Sequence, residues 1–162
     1  MTTPTESLDD WLDTYLPESH RNCLLDVGAY HGDFSLECRK RELCQIAHLF
    51  EPNPQNQILL KSSIQNIPNF TLHDFALSDS AGESVFQCSE DRATGSLLPY
   101  RGPEPLNLTS FGVKQIPLDR WWEMHDLPRI GLVKVDTQGN DLNVLKGGEK
   151  LIQKNRPWLI IE

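Results

Sequence analysis

Residues 23–34, CLLDVGAYHGDF, carry the reading from which the rest follows. Cys23, Leu24 and Leu25 open it as an apolar run suited to a strand buried on both faces. Asp26 closes that strand, Gly28 and Gly32 bracket a tight turn, and a helical pattern begins at Asp33 with Phe34 and Leu36. Strand, glycine turn and helix form the first unit of a nucleotide-binding α/β sheet. There a missing Cβ lets backbone come close to a ligand at a helix N-terminus. The order is Asp-x-Gly-x-x-x-Gly rather than the Gly-x-Gly-x-x-Gly that cradles a pyrophosphate. A carboxylate two residues before the first glycine suits a cationic amino-acid group better than a phosphate. A turn that merely joins strand to helix is the plainer alternative.

Working outward, Ser7 can cap a helix carrying Leu8, Trp11, Leu12, Tyr15 and Leu16, which ends at Pro17. Residues 1–20 thus read as a helical extension lying across the edge of a domain that spans 21–162. Residues 46–50 make a second strand, cut short by the prolines of Glu51-Pro52-Asn53-Pro54. A helix over 55–64, with Ile58, Leu59 and Ile64 inward, leads to a third strand at 70–73. Strand–helix alternation predicts right-handed crossovers and a parallel sheet. The pattern breaks between Ser78 and Pro117: residues 84–88 and 113–116 read as strands and 95–100 as a loop. This is a β-rich excursion over the top of the sheet, where a substrate cap would sit. Asp119 is placed to cap a helix holding Trp121 and Trp122, whose rings serve packing. Residues 132–136 are the fourth sheet strand, followed by a helix with Leu142 and Leu145, a break at Gly147-Gly148, a helix over 149–154 and a fifth strand at 158–161.

Composition narrows the function classes. With 162 residues, 38% hydrophobic and 23% charged, the chain fits one globular domain able to bury a core. A net charge of −8 argues against a nucleic-acid partner, and Arg39-Lys40-Arg41 reads as the solvated face of a helix. No stretch has the length of a membrane span or the profile of a signal peptide. The four cysteines, Cys23, Cys38, Cys44 and Cys88, form no CxxC pair, so they read as buried thiols in a reducing, cytoplasmic compartment, not as a zinc site.

Asp26, Glu51 and Asp136 each fall at the C-terminal end of a strand, and Asp74 follows the end of another. In an open α/β sheet those ends border the ligand crevice. Glu51 lies 25 residues after Asp26, near the interval at which an acidic residue accepts hydrogen bonds from a ribose diol. An adenosine-containing ligand follows. NAD(H) and S-adenosylmethionine both satisfy the spacing, and the glycine order with Asp26 favours the second.

The succession LLDVGAYHGDF, LFEPNP, HDFALSD, IPLDRWW, LVKVDTQGNDLNVLKGG and RPWLIIE resembles the FkbM-type S-adenosylmethionine-dependent methyltransferases. The likeness runs in order over residues 23–162. It implies a Rossmann-like class I methyltransferase fold, α/β with a mostly parallel sheet of order 3-2-1-4-5 and a β-rich insertion. The activity implied is O-methylation of a hydroxyl on a sugar or other small metabolite. Carried over, Asp26, Gly28, Ala29, Tyr30 and Gly32 would surround the amino-acid part of the cofactor. Glu51 would hold the ribose hydroxyls with Asn53 nearby, and Asp74, Phe75 and Ala76 would border the adenine. Asp136 would sit near the reacting methyl group, as general base or as an orienting group. His73 is a weaker base candidate, better suited to packing, and His31 lies in the glycine turn. No third ligand accompanies Asp26 and Asp136, so no metal is expected.

Three features depart from the family pattern. Tyr30 stands where Asn is usual, Gln138 where Glu is frequent, and Asp141 is a methylene shorter than the usual Glu. The resemblance also implies a helix and an antiparallel strand pair after the fifth strand, whereas this sequence stops at Glu162. A bare apolar edge at 158–161 is expected to be covered, either by further chain or by a partner such as a second copy. Two rivals remain: a non-catalytic methyltransferase-like module, and a NAD-dependent oxidoreductase.

Overall fold

The computed structural model describes residues 7–89, 95–99 and 107–162. Helix α1 (Leu8–Tyr15) starts where Ser7 Oγ accepts the Asp10 N–H at 3.2 Å. Its Trp11 ring lies 5.2 Å from that of Trp158, and Leu12 is buried among Leu24, Leu43 and Leu132. The chain then alternates: β1 (Cys23–Val27), α2 (Asp33–Lys40), β2 (Ile46–Phe50), α3 (Pro54–Ile64) and β3 (Phe70–His73). Four short or paired strands follow, β4 (Ala76–Ser78), β5 (Gly82–Ser89), β6 (Gly95–Ser96) and β7 (Leu108–Pro117). Helix α4 (Leu118–Glu123) leads back to β8 (Ile130–Val135), α5 (Asp141–Gly147), α6 (Glu149–Asn155) and β9 (Trp158–Ile161).

The first sheet runs β3-β2-β1-β8-β9 with every pairing parallel, which is the 3-2-1-4-5 order the sequence implies. β1 and β8, at its centre, are buried along their whole length. Alternation sends Leu24, Leu49 and Leu132 to the face covered by α1, α2 and α3. It sends Leu25, Phe50 and Val133 to the face covered by α4, α5 and α6. Each such Leu removed from water contributes about 1.5–3 kcal/mol, so the two apolar layers hold the strand ends in register. The excursion forms a second sheet, β4-β7-β5-β6.

Several expectations change in detail. Ile58 and Leu59 are 69% and 47% exposed, and Leu60 faces the sheet in their place, beside Ile64, which is buried as expected. The helix begins at Pro54, capped by Asn53, and this sets its inward stripe at Asn56, Leu60 and Ile64. The strand read at 113–116 is the end of ten-residue β7, extended because it pairs antiparallel with β5 from Gly82↔Gln115 to Ser89↔Leu108. Within the segment read as a loop, Gly95 and Ser96 pair with Cys88 and Gln87, while Tyr100 lies outside the described residues. Asp119 does not cap its own helix. Its carboxylate accepts the N–H groups of Lys150 and Leu151 at 3.0 and 2.8 Å, closing the start of α6 and tying it to α4.

All four cysteines are free and buried, and burial pushes the Cys23 and Cys44 thiols up to about 12. Among the described residues no helix is long and apolar enough to cross a membrane.

Under α4 the sheet carries an imidazole cluster. His48 Nδ1 lies 3.0 Å from His73 Nε2, Trp121 stands edge-on to both rings, and His125 closes the group. Burial first, and His125 second for His48, hold the His48 ring down at about 4; burial and the other two rings do the same for His73. Both values lie below the unfolded histidine value of about 6.5, so the unfolded chain binds more protons between the two. The stabilisation is therefore complete above pH 6.5 and lost as pH falls toward 4. Discounted for the water that reaches His73, the loss is about 2 kcal/mol for the pair. Urea midpoints at pH 7.5 and 5 measure it, and a slope unchanged in the His48→Phe, His73→Phe double variant refutes it.

Candidate cofactor cleft and active site

The C-terminal ends of β1, β2 and β8 open on one side of a cleft whose opposite wall is the second sheet. Gly28, Tyr30, Glu51, Ala76, Phe86 and Asp136 line it, around about 590 Å³ of free space that includes the opening to solvent.

Close approach dictates the glycine turn. Gly28 sits at φ +81°, and a Cβ there would lie 1.9 Å from the backbone oxygen of Asp136. The two loops that flank the cleft therefore touch through a position only glycine fills. The Gly28 and Ala29 N–H groups both donate to the Phe50 carbonyl at 3.0 Å, anchoring the turn to β2. Tyr30 follows at φ +51°, a left-handed conformation that costs a non-glycine residue about 1–2 kcal/mol and that asparagine tolerates better. Its ring stacks on His31 with centroids 3.6 Å apart. Gly32, at φ +87°, serves packing: a Cβ would lie 2.5 Å from Leu60 Cδ1, so its absence lets α2 and α3 close over the sheet. Ala29 is buried in that same layer.

Glu51 is the anchor of the second strand end. The Tyr30 N–H donates to Oε2 at 2.9 Å and the Asn53 N–H to Oε1 at 2.8 Å. The Asn56 side chain also donates to this carboxylate, which still leaves acceptor capacity for a further donor. Burial raises its carboxyl to about 7, against the two backbone donors and the Asn56 side chain, which favour the charged form. Asn53 itself accepts the Gln55 N–H at 3.0 Å and caps α3, so it shapes the cleft from behind.

The other two carboxylates diverge. Asp26 is fully buried behind the turn, where it accepts the Ser35 hydroxyl at 2.6 Å and lies 4.0 Å from Lys134 Nζ. Burial raises its carboxyl, with Lys134 opposing. Asp136 remains at the cleft: Oδ2 accepts Lys134 Nζ at 3.2 Å and Oδ1 accepts Gln138 Nε2 at 2.9 Å. Asp141 organises the intervening loop by accepting the Thr137 and Gly139 N–H groups at 2.8 and 3.0 Å.

The structure brings Gly28, Tyr30, Glu51, Ala76 and Asp136 together. It places Asp74 exposed in the groove between α3 and β3, and Phe75 against Phe50 and His73. His73 lies in the imidazole cluster. Sequence reasoning missed Asn56, Phe86, Leu97 and Asn140, which also line it. Asn140 had a signal in its place before a helix; its amide donates to the Leu77 carbonyl at 3.1 Å and fastens β4 to the loop. Phe86 and Leu97 had none, because a strand pairing brings them there. Among the described residues no three His, Cys, Asp or Glu side chains converge as a metal-ligand set.

A parallel 3-2-1-4-5 sheet with a glycine turn after its first strand and a carboxylate after its second is the fold of the class I methyltransferases. Residues 26–162 match the model of the methyltransferase FkbM domain. The chain belongs to the FkbM methyltransferase family. It is 29% identical over 131 residues to the hexuronic acid methyltransferase AglP of Haloferax volcanii, a match covering 80% of this chain and 51% of that protein. The chain thus spans about half the length of that curated relative. Its fold is similar to the crystal structure of methyltransferase FkbM from Methylobacillus flagellatus, with a TM-score of 0.62, 18% identity, and coverage of 91% of this chain and 34% of that one.

Proposed function

We propose that this domain binds S-adenosylmethionine in the cleft and serves methyl transfer to a hydroxyl oxygen of a small metabolite, a sugar acid foremost. The observation that carries the cofactor is Glu51, a buried carboxylate fixed by backbone donors and the Asn56 side chain with acceptor capacity remaining, held beside the Cβ-free Gly28. A ribose hydroxyl donates a hydrogen bond and uses that capacity. The relative named as a hexuronic acid methyltransferase supports the acceptor class. When bound, the cofactor would supply a methyl group already activated as a sulfonium substituent. This chain's part is alignment: Glu51 holds the ribose, Gly28 and Tyr30 border the amino-acid part, and Ala76 borders the adenine. Asp136, at the strand end facing the cleft, receives the proton of the acceptor hydroxyl. Asp26 acts from behind the turn, Asn53, Ala29 and Gly32 keep its shape, and Asp74 and Phe75 frame the β3 end. The buried free thiols suit a reducing, cytoplasmic setting.

Calorimetric titration with S-adenosylmethionine and S-adenosylhomocysteine tests the cofactor, with NADH as competitor. Micromolar binding, about −8 kcal/mol, supports the reading. Preference for NADH replaces it with the oxidoreductase, and no binding leaves a non-catalytic module. With glucuronic acid as acceptor, Asp136→Asn should lower kcat by about 10²–10⁴, the usual contribution of a general base. A kcat within threefold of wild type, to set a threshold on the order of the noise in such assays, removes Asp136 from proton transfer.

A further inference from the structure

Behind the cleft, against Asp136, lies a buried cation that the roles above leave unused. Lys134 lies on β8 in direct register with Asp26 of β1, its side chain only 10% exposed. Its Nζ stands 4.0 Å from Asp26 Oδ1 and 3.2 Å from Asp136 Oδ2. Asp26 Oδ1 has no hydrogen-bond partner and no access to solvent, so the ammonium is its compensating charge. Phe34 covers the ammonium from the side of α2, 5.8 Å from ring centroid to Nζ. The lysine is thereby held from two sides and has little freedom to follow Asp136. Asp136 must orient to it.

We propose that Lys134 is a positioning residue: clamped by buried Asp26, it pins Oδ2 of Asp136, so that Oδ1 alone meets a hydrogen-bond donor of the ligand, and the Gln138 amide holds that place until the ligand displaces it. The proposal rests on the methyltransferase reading and deepens it. Gln138 suits a placeholder's role. Its backbone is left-handed at φ +53°, it is exposed, and its contact with Asp136 is a single neutral amide donor. Lys134 makes the charged contact and is buried. A ligand that brings an ammonium or a hydroxyl thus exchanges the weaker, solvent-facing contact and leaves the buried one in place. The donor has two sources, the cofactor's ammonium or the acceptor's hydroxyl, and the two arms of the test separate them.

A mutant cycle between Lys134→Met and Asp136→Asn decides it. In the first arm S-adenosylhomocysteine affinity is measured by calorimetry, and in the second the rate of methyl transfer to glucuronic acid. Lys134→Met is expected to cost about tenfold in one arm, and less than about twofold in that arm once Asp136 is Asn. A cost in the first arm assigns the donor to the cofactor, and a cost in the second alone assigns it to the acceptor. An ion pair that only supports the fold gives the same cost in both backgrounds, or none in either, and either result overturns the proposal. Lys134→Met leaves Asp26 buried and unpaired, so Asp26→Asn/Lys134→Met, which removes both charges, carries the same cycle should the single variant fail to fold. If the wild-type chain transfers nothing to glucuronic acid, the first arm alone decides. If it binds no S-adenosylhomocysteine, the methyltransferase reading fails and this inference falls with it. Binding without the coupling overturns Lys134 alone.

Discussion

Gly28→Ala is expected to abolish cofactor binding and to lower the urea midpoint more than any other single change at the cleft. A Cβ at this position would lie 1.9 Å from the Asp136 oxygen and 2.8 Å from its carbonyl carbon, both backbone atoms that cannot rotate away. The left-handed backbone at φ +81° adds about 1–2 kcal/mol on its own. Relief requires the β1 and β8 loops to separate, yet Asp136 N–H donates to the Val27 carbonyl at 2.9 Å and the Gly28 N–H to Phe50. Separation therefore breaks the hydrogen bonds that shape the cleft as well as the contact itself. Gly32→Ala is milder by comparison, because its added Cβ meets a Leu60 side-chain methyl that can shift. Denaturant curves and calorimetry on the two variants measure the contrast. Gly28→Ala with wild-type affinity and a melting temperature within about 2 °C, a shift that about 1 kcal/mol or less produces in a chain of this length, contradicts the account.

Glu51→Ala separates binding from folding. Two opposing terms act on the ligand-free protein. Removing the carboxylate leaves the Tyr30 and Asn53 N–H groups without their acceptor, about 1–3 kcal/mol each where water does not replace it. It also relieves a buried charge. The carboxyl is raised to about 7, above its unfolded range near 4.5, so the stability it contributes is present below pH 4.5 and lost as pH rises through 7. At pH 8 that loss is about 3 kcal/mol, of the same size as the orphaned donors and opposite in sign. The melting temperature should thus move little, while affinity for S-adenosylhomocysteine falls at least about a hundredfold, roughly 2.7 kcal/mol. In the wild type the same affinity should decline as pH drops below 7, since the protonated acid gives up acceptor capacity for the ribose. Calorimetry at pH 6, 7 and 8 checks this. A flat profile, or a variant that binds as tightly as wild type, moves the ribose site away from Glu51.

Much of the framework was legible because it depends on local signals. Apolar runs of strand length, the prolines that cut β2 short and the glycine turn each act within a few residues. Each also agrees with the parallel sheet observed. The second sheet was harder to read. β7 runs to ten residues only because β5 is there to pair with it, and the same pairing carries Phe86 to the cleft. Asp119 looked like the cap of its own helix, but its carboxylate reaches the start of α6, a destination set by how α4 and α6 pack.

The carboxylates show where local reading stops. From the sequence alone Asp26, Glu51 and Asp136 were all strand-end acids expected at the ligand crevice, beside the amino-acid part, the ribose and the reacting methyl group in turn, and that much, with the strand order and Gly28, was determined by periodicity, turn chemistry and family motifs. Which of them faces the cleft was decided by the tertiary structure. Asp26 faces α2, where Ser35 covers it and Lys134 arrives through the β1–β8 register. Glu51 is turned by two backbone donors from separate segments, and Asp136 by a lysine two residues earlier and a glutamine two residues later. Burial, charge compensation and the direction of a hydrogen bond depend on atoms brought together from distant parts of the chain, and those distances are set only when the sheet has closed.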